Sequence, residues 1–321
     1  MRLPVPSAPL FAALLLASTT TIASAQTTAP VDDPNAIVEE LVVTARYPGP
    51  AFWRVSDADS EVWIMAVPYF IPEKMVWDRT RTEQILKGAN SLILPSGVGV
   101  GLGEAIRFAI KYRKQFTNDG NRTLDQILPA QVVERYEHLP TAYRTTDLKT
   151  STLKPTFAGL SIAGRAKKIG RWAEPYGDMA TLAQKAKVKI RSASMTSALP
   201  IATAIMTMPD AQQIQCFDGF VSSVDHNIKT VGPVAAAWAD GQTAEFLRGT
   251  QSTGADECIY SLGEVKNLRE KAYQSEIKLI KDALDQPGKT LMIASVRPLV
   301  AQNGILARLK AEGFTVRTPA D

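Results

Sequence analysis

The sequence predicts an α/β fold in which a mixed β-sheet is covered by many α-helices. Short apolar runs such as residues 62–67 and 91–94 have the length and composition of buried strands. Longer segments with apolar residues three and four positions apart lie between them and are typical of amphipathic helices. A helix followed by a strand, repeated along the chain, indicates helices packed on a shared sheet. We therefore expect residues 48–321 to form one domain.

The N-terminus has the pattern of a secretory signal peptide. Arg2 precedes an apolar run, Leu10–Ala17, and the small residues Ala23–Ala25 provide a cleavage site before Gln26. The run is too short for a bilayer core, which needs about 20 apolar residues. We expect cleavage after Ala25 and a periplasmic or secreted protein without a transmembrane segment; an uncleaved anchor is the alternative. Residues 26–47 are polar and contain prolines, which predicts a flexible leader.

The first half of the expected domain begins with a hairpin. Residues 52–56 and 61–67 alternate like strands around a turn at residues 57–60. A helix is predicted over residues 78–88, with Asp78 as its N-cap, followed by a strand at residues 91–94. The glycines of residues 97–103 predict a flexible loop that leads into a helix from Glu104.

The rest of the chain is predicted to be mostly helical. Gly232 and Pro233 are expected to separate two helices. The predicted helices are Leu124–Leu139, Phe157–Trp172, Asp178–Ala186, Ala211–Lys229, Val234–Arg248, Leu262–Leu284 and Gly304–Ala311. The predicted strands are Val188–Ala193, Thr290–Ser295 and Phe314–Arg317.

The charge of the chain is mildly basic. The formal net charge is +4 over 321 residues, and no basic face large enough for nucleic acid is evident. In residues 107–114 basic side chains alternate with apolar ones at helical spacing. We interpret this run as the solvent-facing side of a helix, with contact to an anionic surface as the alternative.

Two cysteines, Cys216 and Cys258, predict one disulfide. Exported proteins fold in an oxidising compartment, where paired cysteines are normally bonded. Closing a loop of about 40 residues would contribute roughly 3–4 kcal/mol. A reactive thiol is the alternative, but neither cysteine has a nearby histidine in the sequence.

Common catalytic and cofactor motifs are absent from the sequence. The glycines of residues 97–103 do not fit the dinucleotide pattern G-x-G-x-x-G, and no P-loop lysine follows them. The two histidines, His138 and His226, lack a second ligand at metal-binding spacing. No G-x-S-x-G elbow is present either. We therefore assign no catalytic residue, no metal ligand and no cofactor.

Both ends of the expected domain carry stretches with a family resemblance. The stretch PGPAFWRVSDADSEVWIMAVPYFIP resembles the opening hairpin of the TraB/GumN family, which is related to the TIKI proteins and in which the second strand ends in a G-x-x-H motif. The stretch GKTLMIASVRPLVAQNGILARLKAEGFTV is similar to the closing strand, with its second G-x-x-H motif, the following helix and the last strand. Residues 267–270 fall where the family often has an Arg-Asn pair on a long helix. The resemblance implies a TraB/TIKI-like fold.

The chain departs from the family at the motif positions themselves. The histidine positions are Tyr69 and Pro298, and the glycine positions are Ala66 and Ser295. Pro95 replaces the acidic residue that usually follows the second core strand. Family members with peptidase activity are thought to hold a divalent metal through these histidine and acidic groups. Alanine and proline side chains have no lone pair for a metal, and a neutral phenol is a poor ligand. The departures predict that metal-dependent catalysis is lost.

If the family fold holds, Tyr69, Arg269 and Arg297 are expected to gather near the former motif site. A tyrosine with two arginines favours binding of an anionic or aromatic group, such as a peptide ligand. In the structural alternative, Tyr69 covers a core, Arg269 binds a carbonyl and Arg297 is exposed. We therefore expect a non-catalytic binding or accessory protein of the cell envelope, whose partners stay unknown. A hydrolase with a remodelled active site and a purely structural envelope protein are the alternatives.

Overall fold

The computed structural model describes residues 36–192 and 195–321, which adopt the predicted α/β architecture. The strands in these ranges are β1 (Phe52–Ser56), β2 (Ser60–Val67), β3 (Ile71–Pro72), β4 (Ser91–Leu94), β5 (Gly97–Gly99), β6 (Trp172–Ala173), β7 (Lys189–Ser192), β8 (Met195–Ser197), β9 (Gly288–Ser295) and β10 (Thr315–Arg317). The helices are α1 (Thr80–Leu86), α2 (Leu102–Tyr112), α3 (Ala130–His138), α4 (Pro155–Ile169), α5 (Tyr176–Lys185), α6 (Leu199–Met206), α7 (Asp210–Ala239), α8 (Thr243–Gly249), α9 (Gly254–Tyr260), α10 (Gly263–Leu284), α11 (Val296–Val300) and α12 (Ile305–Ala311).

The main sheet has six strands in the order β10-β1-β2-β9-β4-β7. The strands β2, β9, β4 and β7 run parallel, whereas β1 is antiparallel to both of its neighbours. The central pair is in register from Ser60 opposite Gly288 to Val67 opposite Ser295. The carboxyl ends of the four parallel strands therefore lie at one edge of the sheet.

The predicted hairpin of β1 and β2 is confirmed, and its turn is closed by one carboxylate. Asp57 Oδ1 accepts hydrogen bonds from the Ser60 amide at 3.0 Å and the Ser60 hydroxyl at 2.6 Å. Such an aspartate turn replaces backbone hydrogen bonds that the strands no longer make. The hydrogen bond from Ser60 also lowers the pKa of Asp57.

The buried apolar side chains of the described residues form three clusters, of which two are large and the third surrounds Cys216 and Cys258. The largest one surrounds the sheet, where Val62, Ile64 and Met65 of β2 are fully buried. Burial on both faces is typical of parallel strands that helices cover on each side. A second region lies among α3, α4 and α7, around Leu124 and Phe217. The helical half of the chain therefore has a core of its own beside that of the sheet.

The end of the predicted leader packs onto the folded part of the chain. The compact unit begins at Pro34, although the predicted flexible segment extends to residue 47. Leu41 is buried, and its carbonyl accepts a hydrogen bond from Trp53 Nε1 at 3.0 Å. The Val38 amide donates to the Val300 carbonyl at 2.9 Å. Tertiary contacts thus order residues that composition alone assigns to a leader. The predicted signal peptide, residues 1–25, and residues 26–35 lie outside the described residues.

The predicted helix break at Gly232 and Pro233 is wrong. Helix α7 continues from Asp210 to Ala239 with Pro233 inside it. A proline removes one backbone hydrogen bond from a helix interior and usually bends or ends the helix. Here Val231, Val234 and Trp238 are buried on either side of the proline, so packing compensates for the lost bond.

Two further predictions of local structure are corrected. Part of the predicted glycine loop is a strand, because β5 pairs in parallel with β8, about a hundred residues away along the chain. The helix predicted over Leu124–Leu139 starts only at Ala130, after Pro129. Residues 124–126 instead form a short 3-10 turn that Thr123 and Gln126 cap reciprocally.

The predicted disulfide is confirmed. Cys216 of α7 and Cys258 of α9 are bonded; their Cα atoms are 5.1 Å apart, and their sequence separation is 42. Within residues 36–192 and 195–321, no helix combines the length and apolar character that crossing a bilayer requires.

Candidate functional site

The candidate site lies at the edge where the parallel strands end. Val67 closes β2 directly opposite Ser295, which closes β9. Tyr69 follows the first of these ends by two residues, and Arg297 follows the second by two. Adjacent parallel strands therefore bring the two motif regions together, which is where α/β sheets commonly bind ligands.

Tyr260, the last residue of α9, joins the three residues that the sequence singles out. Its hydroxyl is hydrogen-bonded to that of Tyr69. The Arg269 guanidinium lies 5.5 Å from the centroid of the Tyr260 ring. Burial raises the pKa of Tyr260, and Arg297 is close enough for its charge to oppose this effect in part. We call Tyr69, Tyr260, Arg269 and Arg297 the tyrosine–arginine cluster.

Tyr69 combines an exposed side chain with an enclosed polar end. The residue is 57% exposed, yet its hydroxyl is surrounded by protein, including Tyr260 and Asp256. This desolvation is the main reason why the pKa of Tyr69 is raised well above its usual range, and the hydrogen bond to Tyr260 adds to it. The Tyr69 ring is therefore accessible from solvent, whereas its hydroxyl is held by Tyr260.

Arg297 is hydrogen-bonded to the last turn of α8 and to the residue that follows it. Its Nη2 donates to the Leu247 carbonyl at 3.0 Å, and its Nε donates to the Thr250 carbonyl. These bonds tie α11 to the end of α8 and fix the guanidinium beside the cluster.

Two further tyrosines border the cluster. Tyr273 lies one turn beyond Arg269 on α10, and burial raises its pKa to about 12 although the nearby Arg269 acts in the opposite direction. Tyr176, at the start of α5, is hydrogen-bonded to the Ser295 side chain, and burial also raises its pKa. Ser295 stands at the glycine position of the second motif. The strand edge is therefore lined by neutral phenols.

A buried carboxyl group approaches the same edge from α10. Glu276 is 6% exposed, and its Oε1 accepts a hydrogen bond from the Ser96 amide at 2.9 Å. Burial raises its pKa, while the Ser96 amide partly opposes this effect. Ser96 directly follows Pro95, at the end of β4. Thus a helix supplies a carboxyl where the family usually has one just after the strand.

Comparison with known families agrees with this geometry. The sequence model of the TraB/PrgY/gumN family matches residues 51–318, which is most of the chain. The chain belongs to this family. The match confirms the resemblance noted at the two ends and extends it through the helical middle. No curated protein and no solved structure matches the chain.

The motif positions of this TraB/PrgY/gumN family member do not fit a metal. Ala66 and Pro298 provide only backbone atoms, and the Ala66 carbonyl already accepts a hydrogen bond from Trp238 Nε1 at 2.8 Å. Within residues 36–192 and 195–321, no group of three or more His, Cys, Asp or Glu is arranged to hold a metal ion. We therefore assign these residues no metal-dependent step.

Both histidines of this family member lie on helices and contact backbone carbonyls. His138 Nδ1 lies 2.7 Å from the Glu134 carbonyl on its own helix α3. His226 Nε2, on α7, lies 3.3 Å from the Gly249 carbonyl. These contacts are those of ordinary helix histidines, as the sequence predicts.

The three residues that the sequence singles out lie around Tyr260, which the sequence does not single out. The structure brings Tyr69, Arg269 and Arg297 together, but Tyr260 joins them from α9, a helix that was not predicted. Tyr176, Tyr273 and Glu276 were missed as well. Their spacing is that of ordinary amphipathic helices, so only the positions of α5 and α10 at the strand edge single them out.

Proposed function

We propose that this TraB/PrgY/gumN family member is an exported, non-catalytic binding protein of the cell envelope. Its ligand carries an anionic group, such as a peptide carboxylate, that binds in the tyrosine–arginine cluster. The observation that carries the proposal is the meeting of Tyr69, Arg269 and Arg297 at Tyr260, on the edge where the family motifs have lost their metal-binding side chains.

The chemistry of the cluster suits an anion better than a cation. Arginine presents several N–H donors and a fixed positive charge to a carboxylate. The raised pKa values of Tyr69 and Tyr260 keep both phenols neutral at physiological pH, so neither adds a negative charge to the site. A donor-rich site of this kind suits an anion, and its neutral phenols are poor ligands for a metal.

Binding of short acidic peptides would test this proposal. We expect peptides with a free carboxylate to bind, and Arg269→Gln to weaken binding by about tenfold, as for loss of one charge-assisted contact. Lys271→Gln is the matched control, because Lys271 is an exposed cation on the same helix. Tyrosine fluorescence titrations would measure the affinities. Equal affinities for the two variants would reject the cluster as the binding site.

Purified protein would test the absence of catalysis. We expect less than stoichiometric metal by elemental analysis, and no peptidase activity when Mn²⁺ or Co²⁺ is added. Stoichiometric metal together with peptide cleavage would overturn the proposal.

Glu276 favours one second candidate, a hydrolase with a remodelled active site. A buried carboxyl with a raised pKa, such as Glu276 at the strand edge, is typical of general acids and bases. This candidate predicts hydrolysis of peptide substrates without added metal. It also predicts that Glu276→Gln lowers the rate by a factor of about 100 or more, the usual contribution of such a group.

Export is tested separately. We propose cleavage after Ala25, on the basis of the signal-like pattern in residues 1–25. Mass spectrometry of the protein recovered from the periplasm or medium of a Gram-negative host should give an N-terminus at Gln26. A cytoplasmic protein that retains residues 1–25 would reject this part of the proposal.

A further inference from the structure

Helix α2 exposes a row of large aliphatic side chains. Leu102, Ile106 and Ile110 are 78%, 51% and 68% exposed, and no residue of the helix is buried. Residues four positions apart lie on one side of a helix. The three side chains therefore form a continuous apolar ridge along about two turns. We call Leu102, Ile106 and Ile110 the α2 ridge.

The ridge is not the side by which α2 is attached to the protein. That side carries Phe108 and Tyr112, whose rings are 4.6 Å apart and partly buried. Phe108 contacts Phe116, and Phe116 packs against Phe157 of α4 with ring centroids 4.8 Å apart. Because these aromatic contacts lie on a different side of the helix, the ridge faces away from the core.

Basic side chains run beside the ridge. Arg107, Lys111 and Lys114 are exposed, whereas Glu104 is the only acidic residue of α2. Among residues 36–192 and 195–321, no carboxylate forms a salt bridge with these three cations. Lys111 Nζ instead lies 5.0 Å from the centroid of the Tyr112 ring. The interpretation of residues 107–114 as only a solvated helix side is therefore incomplete, since the apolar half of the same helix is equally exposed.

An apolar ridge with a cationic border has the pattern of a helix that lies in a bilayer surface. Aliphatic side chains enter the boundary between headgroups and acyl chains, while lysine and arginine bind anionic headgroups. The ridge protrudes and forms no groove for a partner's side chains. A second copy of the chain would bring two sets of Arg107, Lys111 and Lys114 together, and this like-charge repulsion disfavours self-association.

We propose that the α2 ridge, together with Arg107, Lys111 and Lys114, binds the surface of an anionic phospholipid bilayer. The contact holds the protein on the membrane without a spanning segment. It uses none of the residues of the tyrosine–arginine cluster and does not depend on the function proposed for them.

Vesicle co-sedimentation tests the proposal. The chain from Gln26 is suitable because the compact unit begins at Pro34, and it avoids any binding by the apolar residues 10–17. Phosphatidylglycerol–phosphatidylcholine vesicles should bind this chain, and phosphatidylcholine vesicles should bind it at least about tenfold more weakly. Raising the salt concentration should release it, because salt screens the cationic border.

Two variants separate the apolar from the electrostatic contribution. Ile106→Ser/Ile110→Ser and Arg107→Gln/Lys111→Gln should each weaken binding by about tenfold or more. Val76→Ser and Lys149→Gln are the matched controls, because Val76 is 91% exposed and Lys149 is an exposed cation, both outside α2. These controls should bind as the unchanged chain does. All changes lie on the surface, so circular dichroism melting curves should coincide.

Three results would overturn the proposal. The first is that the unchanged chain does not bind anionic vesicles. The second is that Ile106→Ser/Ile110→Ser and Val76→Ser bind equally well. The third is a dimer in sedimentation equilibrium that Ile106→Ser/Ile110→Ser abolishes, which would assign the ridge to a second copy of the chain.

Discussion

At the scale of single residues, burial raises the pKa of the tyrosines at the strand edge. Tyr69, Tyr176, Tyr260 and Tyr273 all have a raised pKa, and desolvation is the largest cause for each. A phenol that stays protonated acts as a hydrogen-bond donor and adds no negative charge. The positive charges of the arginines are therefore not cancelled by neighbouring tyrosinates at any physiological pH.

Glu276 gives a prediction about pH and stability. Its raised pKa means that the folded chain binds a proton more tightly than the unfolded chain, whose value is near 4.5. Its contribution to stability is present below that pH and is lost as the pH rises through the folded-state pKa. Glu276→Gln cannot titrate, so relative to the unchanged protein it should gain stability between acid and neutral pH. Urea unfolding across this range measures the difference.

Glu270 is the control with the opposite sign. Arg308 binds it through two hydrogen bonds, at 2.8 and 2.9 Å, and thereby lowers its pKa. Its contribution is present above the unfolded value and is lost as the pH falls through the folded one. Glu270→Gln should therefore be less stable than the unchanged protein at neutral pH, with the difference vanishing in acid. Parallel curves for the two variants would contradict the assigned burial of Glu276.

Part of the candidate site is predictable because the motif residues directly follow predicted strands. The other residues lie on helices whose positions depend on the tertiary fold. Tyr69 and Arg297 follow strands that the apolar pattern predicts. Parallel pairing of these strands then brings the two residues to the same edge of the sheet. Tyr260 and Glu276 reach the site only through the paths of α9 and α10. The residues around them do not predict where α9 and α10 lie. The local sequence also does not distinguish a buried glutamate on a helix from an exposed one.

At the scale of elements, α7 and α9 meet so closely that their contact requires glycine. A Cβ on Gly219 would lie 2.3 Å from the Gly254 carbonyl oxygen, and a Cβ on Gly254 would lie 2.7 Å from the Gly219 Cα. One turn from this contact the Ser223 hydroxyl accepts a hydrogen bond from the Ala255 amide at 3.1 Å. The disulfide joins the same two helices on the other side of the contact.

Gly219→Ala should destabilise the protein by about 1–3 kcal/mol or more, because the new methyl group meets backbone that has no room to move. Gly164→Ala is the matched control, since a Cβ on that residue of α4 meets nothing within 4 Å. In the control, the better helix propensity of alanine should add up to about 1 kcal/mol. Denaturant unfolding measures both. A stabilising Gly219→Ala would show that the helices are further apart than described.

The disulfide gives a second prediction at this scale. Replacing both cysteines, as in Cys216→Ser/Cys258→Ser, should lower the free energy of unfolding by about 3–4 kcal/mol, as expected for a closed loop with a sequence separation of 42. The unchanged protein in reducing agent is the internal control and should lose a similar amount. A loss below about 1 kcal/mol in both cases would mean that the bond adds little to the helix contact.

Elements with local patterns were predicted well, and those that depend on distant partners were not. The hairpin, α10 and β9 follow from periodicity within their own residues. By contrast, β5 is a strand only because β8 pairs with it from far along the chain. Helix α7 passes through Pro233 because buried neighbours on both sides outweigh the missing hydrogen bond.

At the scale of the whole molecule, residues 36–47, which precede β1, form hydrogen bonds with separate parts of the fold. The Val38 amide binds the Val300 carbonyl, the Ala45 amide binds the Gly241 carbonyl and the Arg46 amide binds the Pro319 carbonyl. These acceptors follow β9, α7 and β10 respectively. Residues 36–47 therefore connect the end of the chain, the central sheet and the longest helix.

A chain that begins at Pro48 should consequently be less stable than one that begins at Pro34. It lacks Leu41, and removal of a buried leucine side chain alone costs about 2–5 kcal/mol. It also lacks four backbone hydrogen bonds, namely the three above and the one from the Gln302 amide to the Ala36 carbonyl, each worth about 1 kcal/mol. We expect a loss of more than about 3 kcal/mol in urea unfolding. The chain that begins at Gln26 should match the one from Pro34, because the compact unit begins there. An equally stable chain from Pro48 would contradict this prediction. Residues 36–47 would then contribute nothing to stability, and the folded domain would begin at β1.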